Sequence, residues 1–508
     1  MNIATLLHNA ARSFGHRPAV SVGDELLLSY AALHQRAARL AAGLRDRERL
    51  TPGARVALVM SNRPAYLEVL FGIWYAGLVA VPVNAKLHAR EVAFILDHCQ
   101  ASLCFVSEDV AAAVGTAAKD VGCVQRVICV DDSDYGNMLG EPVAPVDRDR
   151  DDLAWIFYTS GTTGRPKGAM LTHLNLRLMA WSYLCDFDLL TENDSFLVLG
   201  PQSHAAGLLG LTHVAKASHH VLPASGGFDP GEIASLIDRL SSVTFFAAPT
   251  MLRRLVESPA VAGCRIDNIR TIIGGGASFY VDDVKRALAT FGPRFLNGYG
   301  QGECPCTITA MPKHLYPGQS DKRLVSVGIA RTGVEVRTVD AQDQGVPDGE
   351  IGEIVVRSDI VMRGYLHDEA ATVRTLTKGW LHTGDLGVMD ERGFLWLKDR
   401  SKDLIISGGS NIYPREVEDV LLRHTAVVEV AVVGQPDPEW GESVVAFVVA
   451  KEGCSPSSEE LDRLCLDNLA RFKRPKRYEF VQALPRNSTG KVLKTELRAR
   501  LLGEAGPS

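Results

Sequence analysis

The opening of the chain places Ile3, Leu6, Leu7, Ala10 and Ala11 at helical spacing, and a second such pattern runs from Tyr30 to about Leu44. Both predict packing helices. Short β-branched apolar runs then alternate with helical stretches, at Val56–Met60, Leu78–Val83, Ser102–Val106 and Arg126–Val130. Parallel strands need a long crossover, usually a helix, so this alternation predicts an α/β chain with largely parallel sheets. A second αβ repetition covers Ser195 to about Phe295, with strands expected at Ser195–Leu199, Val243–Ala247 and Thr271–Ile273. From Ser326 to Trp396 the texture changes to short strands separated by Gly, Pro and Asp turns, which predicts a compact β subdomain. The αβ pattern then returns, with a helix over Glu416–Leu422, a strand pair over Val427–Val433 and Val444–Val449, and a helix over Glu459–Leu469.

These elements divide the chain into a large N-terminal domain over residues 1–398, made of two αβ sheet layers plus the β subdomain. A hinge at 399–401 and a small α+β domain over 402–508 follow. Two or more domains are also what 508 residues call for, because one hydrophobic core stops growing well before that length. No internal repeat and no low-complexity tract interrupts the pattern.

Composition narrows the functional classes. With 46% hydrophobic and 22% charged residues and a formal charge of -6, a nucleic-acid or anionic-membrane partner for the whole molecule is disfavoured. The ten cysteines are scattered without paired C-x-x-C clusters, and Cys304 and Cys306 alone do not make a structural zinc site. That pattern fits reduced thiols and a cytoplasmic location. The first residues lack a basic n-region and carry His8, Arg12 and His16 where an apolar h-region would lie, so no signal peptide is expected. No run of apolar residues is long enough for a spanning helix.

The chemistry concentrates in YTSGTTGRPKGAMLTH at 158–173. An apolar run, LAWIF, precedes it and predicts a strand, so the glycines and hydroxyls fall in the loop at the strand's end. Glycines let backbone N–H groups approach oxyanions, Thr159, Ser160, Thr162 and Thr163 add hydroxyl donors, and Lys167 adds charge. The bland alternative is a flexible linker, which the strand before it argues against. A Walker A loop is excluded, because Pro166 rather than Gly precedes Lys167, and Gly490-Lys491 is followed by Val492.

At these residues the chain resembles the adenylate-forming superfamily, which includes acyl- and aryl-CoA synthetases, peptide-synthetase adenylation domains and beetle luciferases. Further family motifs recur in the same order along essentially the whole chain. The resemblance implies that Thr159, Ser160, Gly161, Thr162, Thr163, Gly164 and Lys167 hold ATP phosphates. PQSHAAGL would put His204 at the junction of acyl pocket and pantetheine tunnel; a lone histidine is otherwise usually structural. GGGAS at 274–278 implies that Gly275, Gly276 and Ala277 line the nucleotide. NGYGQGE at 297–303 resembles the family's Y-G-x-T-E element, with Tyr299 and Gly300 at the adenine and Glu303, with Thr163, ligating Mg²⁺. One position departs. The usual Thr is Gly302, so one hydroxyl contact to the α-phosphate must come from a water or a neighbouring group.

In GWLHTGDLG at 379–387, Asp385 would accept from the ribose hydroxyls, and Arg400, after the pivot Asp399, would be a second ribose contact. Gly408 and Gly409 would pass close to pantetheine, although a hairpin turn explains them equally. PRNSTGKVLK at 485–494 matches the family's terminal element and makes Lys491 the catalytic lysine, with His204 and Glu303 completing the catalytic set.

The resemblance thus implies an AMP-forming acid-thiol ligase acting on a carboxylic acid, with ATP, Mg²⁺ and coenzyme A. Trp440, Phe472 and Arg474 resemble positions with which aryl-CoA ligases hold CoA, and 471–477 carries five basic and no acidic side chains. A solvated helix end is the plain alternative for that run. Candidate acyl-pocket residues are His204, Ala205, Gly207, Leu208, Pro249, Gly274, Gly298 and Thr307, with no Arg or Lys among them to pair a second carboxylate. A small aromatic or heteroaromatic acid, benzoate- or furoate-like, is the expected substrate, with medium- or long-chain fatty acids as the alternative. Loading of a carrier protein, a luciferase-type oxygenase and a non-catalytic ATP-binding relative remain competing readings. A homodimer is an assembly the chain allows.

Overall fold

The computed structural model describes residues 1–159, 166–400, 403–407, 410–438, 440–487 and 490–503, with backbone only at Thr307, Asp399, Arg400 and Asn411. Two compact units emerge, one of Met1–Val336 with Val356–His382, the other of Arg337–Val355 with Thr383–Ser508. The β-rich stretch expected over Ser326 to Trp396 is divided between them, and the 399–401 pivot falls inside the second.

The first unit holds two sheets. One has six strands in the order Arg126–Cys129, Ala101–Val106, Arg55–Met60, Val79–Asn84, Leu153–Thr159 and Lys167–Thr172. All neighbours are parallel except the last pair. Val79–Asn84 is buried at every position, as a parallel strand covered on both faces must be. The four strands expected between Val56 and Val130 are present within a residue or so at each end.

The other sheet has nine strands, in the order Ile329–Ala330, Cys304–Met311, Phe295–Gln301, Ile269–Gly274, Val243–Ala247, Ser195–Leu197, His219–Leu222, Pro18–Val22 and Glu25–Ser29. Its last two strands come from the N-terminus and were not expected from the pattern. Val20 pairs in parallel with His220, so the hairpin after the helix Thr5–Phe14 finishes a sheet whose other strands begin at Ser195. The expected helix after it spans Tyr30–Ala42, with Ser29 capping Ala32 N.

Two polar clusters tie the segments that carry the site. Thr172 and Asn175 form a capping box at the start of the helix His173–Asp186. Asn175 Nδ2 also donates to Asp359 O at 2.7 Å and Val361 O at 3.1 Å, which anchors the segment leading to Tyr365. Asn62 donates to Gly200 O and accepts from Gln202 N, while Gln202 accepts from Arg63 N, which fixes the turn before His204 against the strand end at Met60.

In the second unit, Leu395–Arg400 lies antiparallel to Trp380–Met389 over Asp385–Met389. A further sheet runs Ser410–Ile412, Ile405–Ser407, Gly441–Ala450, Val427–Asp437, with Arg477–Phe480 added in parallel to Gly441–Ala450. Alternate residues of its long hairpin face opposite cores: Val430, Val432, Val444 and Val448 meet Val417, Leu421 and Leu461 from the helices Pro414–Leu421 and Ser458–Asn468. Ala431, Val433, Val445 and Phe447 meet Leu484 and Leu497, the latter from the helix Lys494–Leu501. This period of two is what makes a strand buried on both faces. The α+β character expected of the last hundred residues is thus present.

Candidate active site

Glu303 is the centre of the candidate site in the first unit. Gln301 pairs with Cys304, so Gly302 and Glu303 form the two-residue tip of a hairpin between Phe295–Gln301 and Cys304–Met311. The carboxylate is buried, with the residue 6% exposed, and a buried carboxylate needs donors. Tyr365 OH donates to Glu303 Oε1 at 2.8 Å and Thr159 Oγ1 to the same oxygen at 3.2 Å. No hydrogen bond to Oε2 occurs among the described residues.

Tyr365 arrives through a short stretch laid along Lys167–Thr172. Met362 N donates to Glu303 O, Met170 N to Gly364 O, Arg363 N to Met170 O and Leu366 N to Gly168 O. Lys167, the first residue of that strand, stands opposite Thr159, and its Nζ lies 5.0 Å from the Tyr365 ring centroid. Burial and the Glu303 carboxylate push the Tyr365 phenol upward, so it stays a donor at ordinary pH. Tyr365 is not among the residues that the sequence motifs single out; the pairing of 362–366 with Lys167–Thr172 brings it here.

The departure at Gly302 has a steric reason. Its φ is not positive, so the turn itself does not require glycine. A Cβ there would stand 2.5 Å from Thr159 Cγ2 and 2.6 Å from Phe157 Cδ1. Thr159 and Phe157 therefore fill the space a threonine would use, and the Thr159 hydroxyl beside it is the one bonded to Glu303. Phe157 also meets His204 edge-on, with ring centroids 5.5 Å apart.

His204 precedes the helix Ala205–Ala215, and its Nδ1 lies 2.8 Å from Ser203 Oγ. Burial lowers it to about 4, so it is a neutral imidazole. Gly207 has no room for a side chain, because a Cβ would stand 1.8 Å from Gln202 O.

The nucleotide-lining candidates meet at the carboxyl ends of parallel strands, where ligands of open α/β sheets bind. Ile269–Gly274 and Phe295–Gln301 pair in parallel, with Gly274 opposite Asn297. Gly275, Gly276 and Ala277 leave the first strand, and Tyr299 and Gly300 end the second. A Cβ on Gly275 would meet Gly298 O at 3.2 Å, and Gly276 has φ +81°. Gly276 and Ala277 are exposed, Gly275 and Tyr299 buried.

In the second unit, Asp385 and Arg400 are register partners across Trp380–Met389 and Leu395–Arg400, so the two ribose candidates share one face of one strand pair. Thr383 Oγ1 accepts from Asp385 N. Lys491 lies on a tight hairpin: Arg486 bridges Val492, Gly490 has φ +85°, and Lys491 N donates to Asn487 Oδ1 at 2.8 Å. Its residue is exposed.

Trp440 and Phe472 are exposed aromatic rings, at 48% and 47%. Arg474 pairs with Asp462 at 2.5 Å and Lys473 with Glu416 at 2.8 Å, so part of the basic run is already matched within the unit. Arg471 and Lys476 are exposed, with no carboxylate partner among the described residues. Ser160, Gly161, Thr162, Thr163, Gly164, Gly408 and Gly409 lie outside the described residues, as do the side chains of Arg400 and Thr307.

Among the described residues no cluster of three His, Cys, Asp or Glu side chains could hold a metal, and no helix is long and apolar enough to cross a membrane. A lone carboxylate is nonetheless an adequate protein ligand for Mg²⁺, which takes one or two carboxylates plus substrate phosphates. Glu303, with Oε1 fixed by two hydroxyls, fits that role.

Residues 7–366 match the model of the AMP-binding enzyme family, and residues 416–491 match the AMP-binding enzyme C-terminal domain. A feruloyl-CoA synthase of Amycolatopsis sp is 37% identical over 493 residues, covering 96% of this chain and 97% of that one. The fatty acid–[acyl-carrier-protein] ligase ScoC of Streptomyces coeruleorubidus is 34% identical, covering 94% and 92%. The crystal structure of ATP-bound MatB from Rhodopseudomonas palustris superposes with a TM-score of 0.88 at 32% identity, covering 98% of this chain and 99% of that one. With a family model matched over most of its length and a relative 37% identical along nearly the whole of both chains, this chain belongs to the AMP-binding enzyme family.

Proposed function

We propose that the chain is an AMP-forming acyl-CoA ligase whose acid is small and aromatic or heteroaromatic, benzoate- or furoate-like. The observation that carries the ligase reading is Glu303, buried at a hairpin tip with one oxygen fixed by Thr159 and Tyr365. The aromatic preference draws on the feruloyl-CoA synthase likeness and on the Phe157–His204 edge contact beside the pocket candidates. Arg331, which packs on Phe187 near Gly298, is itself paired with Asp186, so it does not await a second carboxylate.

A carboxylate is a poor electrophile, since its leaving group would be oxide. The first half-reaction joins it to the α-phosphate of ATP and releases pyrophosphate. Lys491 bridges carboxylate and α-phosphate, where charge builds in the transition state. Thr159, Lys167 and the loop at 160–164 hold the departing phosphates. Glu303, with Thr163, would hold Mg²⁺, which would neutralise phosphate charge. Asp385 and Arg400 fix the ribose, while Tyr299, Gly275, Gly276 and Ala277 seat the adenine.

In the second half-reaction the CoA thiol attacks the acyl-adenylate carbonyl and AMP leaves. His204 sits where acyl group and pantetheine meet, Gly408 and Gly409 pass beside the pantetheine, and Trp440, Phe472 and Arg474 hold the nucleotide end. A turn about 399–401 would exchange Lys491 for the Gly408 face between the two steps.

The test is single-turnover pyrophosphate release with acetate, benzoate, furoate, ferulate and palmitate, with and without CoA or a phosphopantetheinylated carrier protein. Pyrophosphate with the aromatic acids, and acyl-CoA with AMP only after CoA is added, supports the reading. Palmitate as the best acid supports the fatty-acid alternative, transfer to the carrier alone supports carrier loading, and no pyrophosphate with any acid refutes the enzyme.

A further inference from the structure

Cys306 lies three positions after Glu303, on the strand Cys304–Met311, and has φ +58°. Residues with a Cβ rarely adopt that left-handed conformation unless their surroundings impose it. The group that meets the Cys306 carbonyl is Arg331. Its Nη1 donates to Cys306 O at 2.7 Å, its Nε to Asp186 Oδ2 at 3.2 Å and its Nη2 to Ser182 Oγ at 3.1 Å. The guanidinium also lies 4.0 Å from the centroid of Phe187, and the residue is 3% exposed.

Only a guanidinium offers donors in a rigid planar fork that can satisfy three separated acceptors at once. Its anchor is firm, because Asp186 also accepts from Thr332 N at 3.0 Å and Thr332 Oγ1 at 2.7 Å. Phe187, held under the cation, comes within 3.9 Å of where a Gly298 Cβ would stand. One buried side chain thus touches the backbone between Glu303 and Thr307 and the ring behind Gly298.

We propose that Arg331 is a positioning residue for the acyl half of the site. It holds Cys306 left-handed and Phe187 against Gly298, and so fixes the pocket wall at Thr307 and the strand that carries Glu303. The proposal rests on the reading of 298–307 as acyl-pocket and metal-binding backbone.

Arg331→Lys, Arg331→Met and Cys306→Gly, singly and with Arg331→Met combined with Cys306→Gly, test it through acid-dependent pyrophosphate release and thermal melting. Arg331→Lys keeps a charge for Asp186 but loses the fork; glycine at 306 takes positive φ without help. Both Arg331 variants are expected to raise the acid KM roughly tenfold, more than they lower kcat, and to blur the preference between small and large acids. Adding Cys306→Gly to Arg331→Met should recover most of that loss, and should raise Tm more than the same change does with Arg331 present. Acid KM and acid preference within about twofold of the parent in both Arg331 variants, or an equal Tm gain in both backgrounds, would overturn the clamp. If the parent releases no pyrophosphate with any acid, the ligase reading fails, and the Tm comparison alone decides the clamp.

Discussion

The Tyr365 hydroxyl donates to Glu303 Oε1 at 2.8 Å, the same oxygen that Thr159 Oγ1 reaches at 3.2 Å. Two donors on one oxygen fix the carboxylate and leave Oε2 without a hydrogen bond among the described residues. Tyr365→Phe removes a hydrogen bond to a charged group, worth about 1.5–3 kcal/mol in general. The expected outcome is a rise of roughly tenfold in the Mg²⁺ concentration for half-maximal pyrophosphate release, with little change in saturating kcat. An unchanged Mg²⁺ curve would show that the bond does not orient the carboxylate.

Gly302→Thr brings a Cβ to 2.5 Å from Thr159 and 2.6 Å from Phe157. Restoring the family's usual residue is therefore expected to destabilise by about 1–3 kcal/mol, the usual range for overpacking. Phe157→Leu in the same chain makes room and should return most of it. Urea denaturation of the two singles and the double checks this, and a neutral single Gly302→Thr would mean that Thr159 swings aside without cost.

Lys491 sits on an exposed hairpin, so its removal should not cost folding. Lys491→Ala is expected to lower pyrophosphate release by roughly 10²–10³-fold, as loss of one preorganised charge at a transition state does. Thioester formation from supplied acyl-adenylate and CoA should be nearly intact. Equal loss in both half-reactions would contradict a lysine used in only one of them.

Five buried or partly buried histidines make stability pH-dependent, and among them His213 is pushed by burial well below the usual imidazole range. Burial lowers His173 and His220 to about 3, and His204 and His219 to about 4. The unfolded chain binds their protons near pH 6.5, while the folded chain resists until pH 3 to 4. Stability should thus be full above pH 6.5 and fall as pH drops toward 4, by up to about 1.4 kcal/mol per pH unit for each histidine. Urea melts at pH 7.5, 6 and 5 measure the slope; a flat profile would mean that these rings ionise in the folded protein. His204 should stay neutral through pH 5, so it should set no acid limb of activity there.

What the sequence made legible follows from where the information is local. The parallel strands from Val56 to Val130 announce themselves because each is a short apolar run between turns. The hairpin Pro18–Val22 and Glu25–Ser29 did not, since PAVSV and ELLLS carry no strong alternation and their partner His219–Leu222 is far along the chain. The departure at Gly302 was visible as a letter, but its cause was not. That cause is contact with Phe157 and Thr159 on a different sheet. Tyr365 and Arg331 escaped for the same reason, each acting through a backbone stretch that only tertiary pairing brings near.

The N-terminal hairpin orders the events of synthesis. Its strand Pro18–Val22 leaves the ribosome long before its neighbour His219–Leu222 exists, and the strands from Arg55 to Thr172 are made in between and pair among themselves. The six-stranded sheet can therefore assemble from contiguous chain, while the nine-stranded one must wait with an unpaired hairpin whose Leu26 and Leu27 remain exposed even in the finished fold. Closing that long loop is a non-local step, and non-local pairing is intrinsically slow. Until it closes, the waiting hairpin carries an unpaired edge open to pairing with another copy.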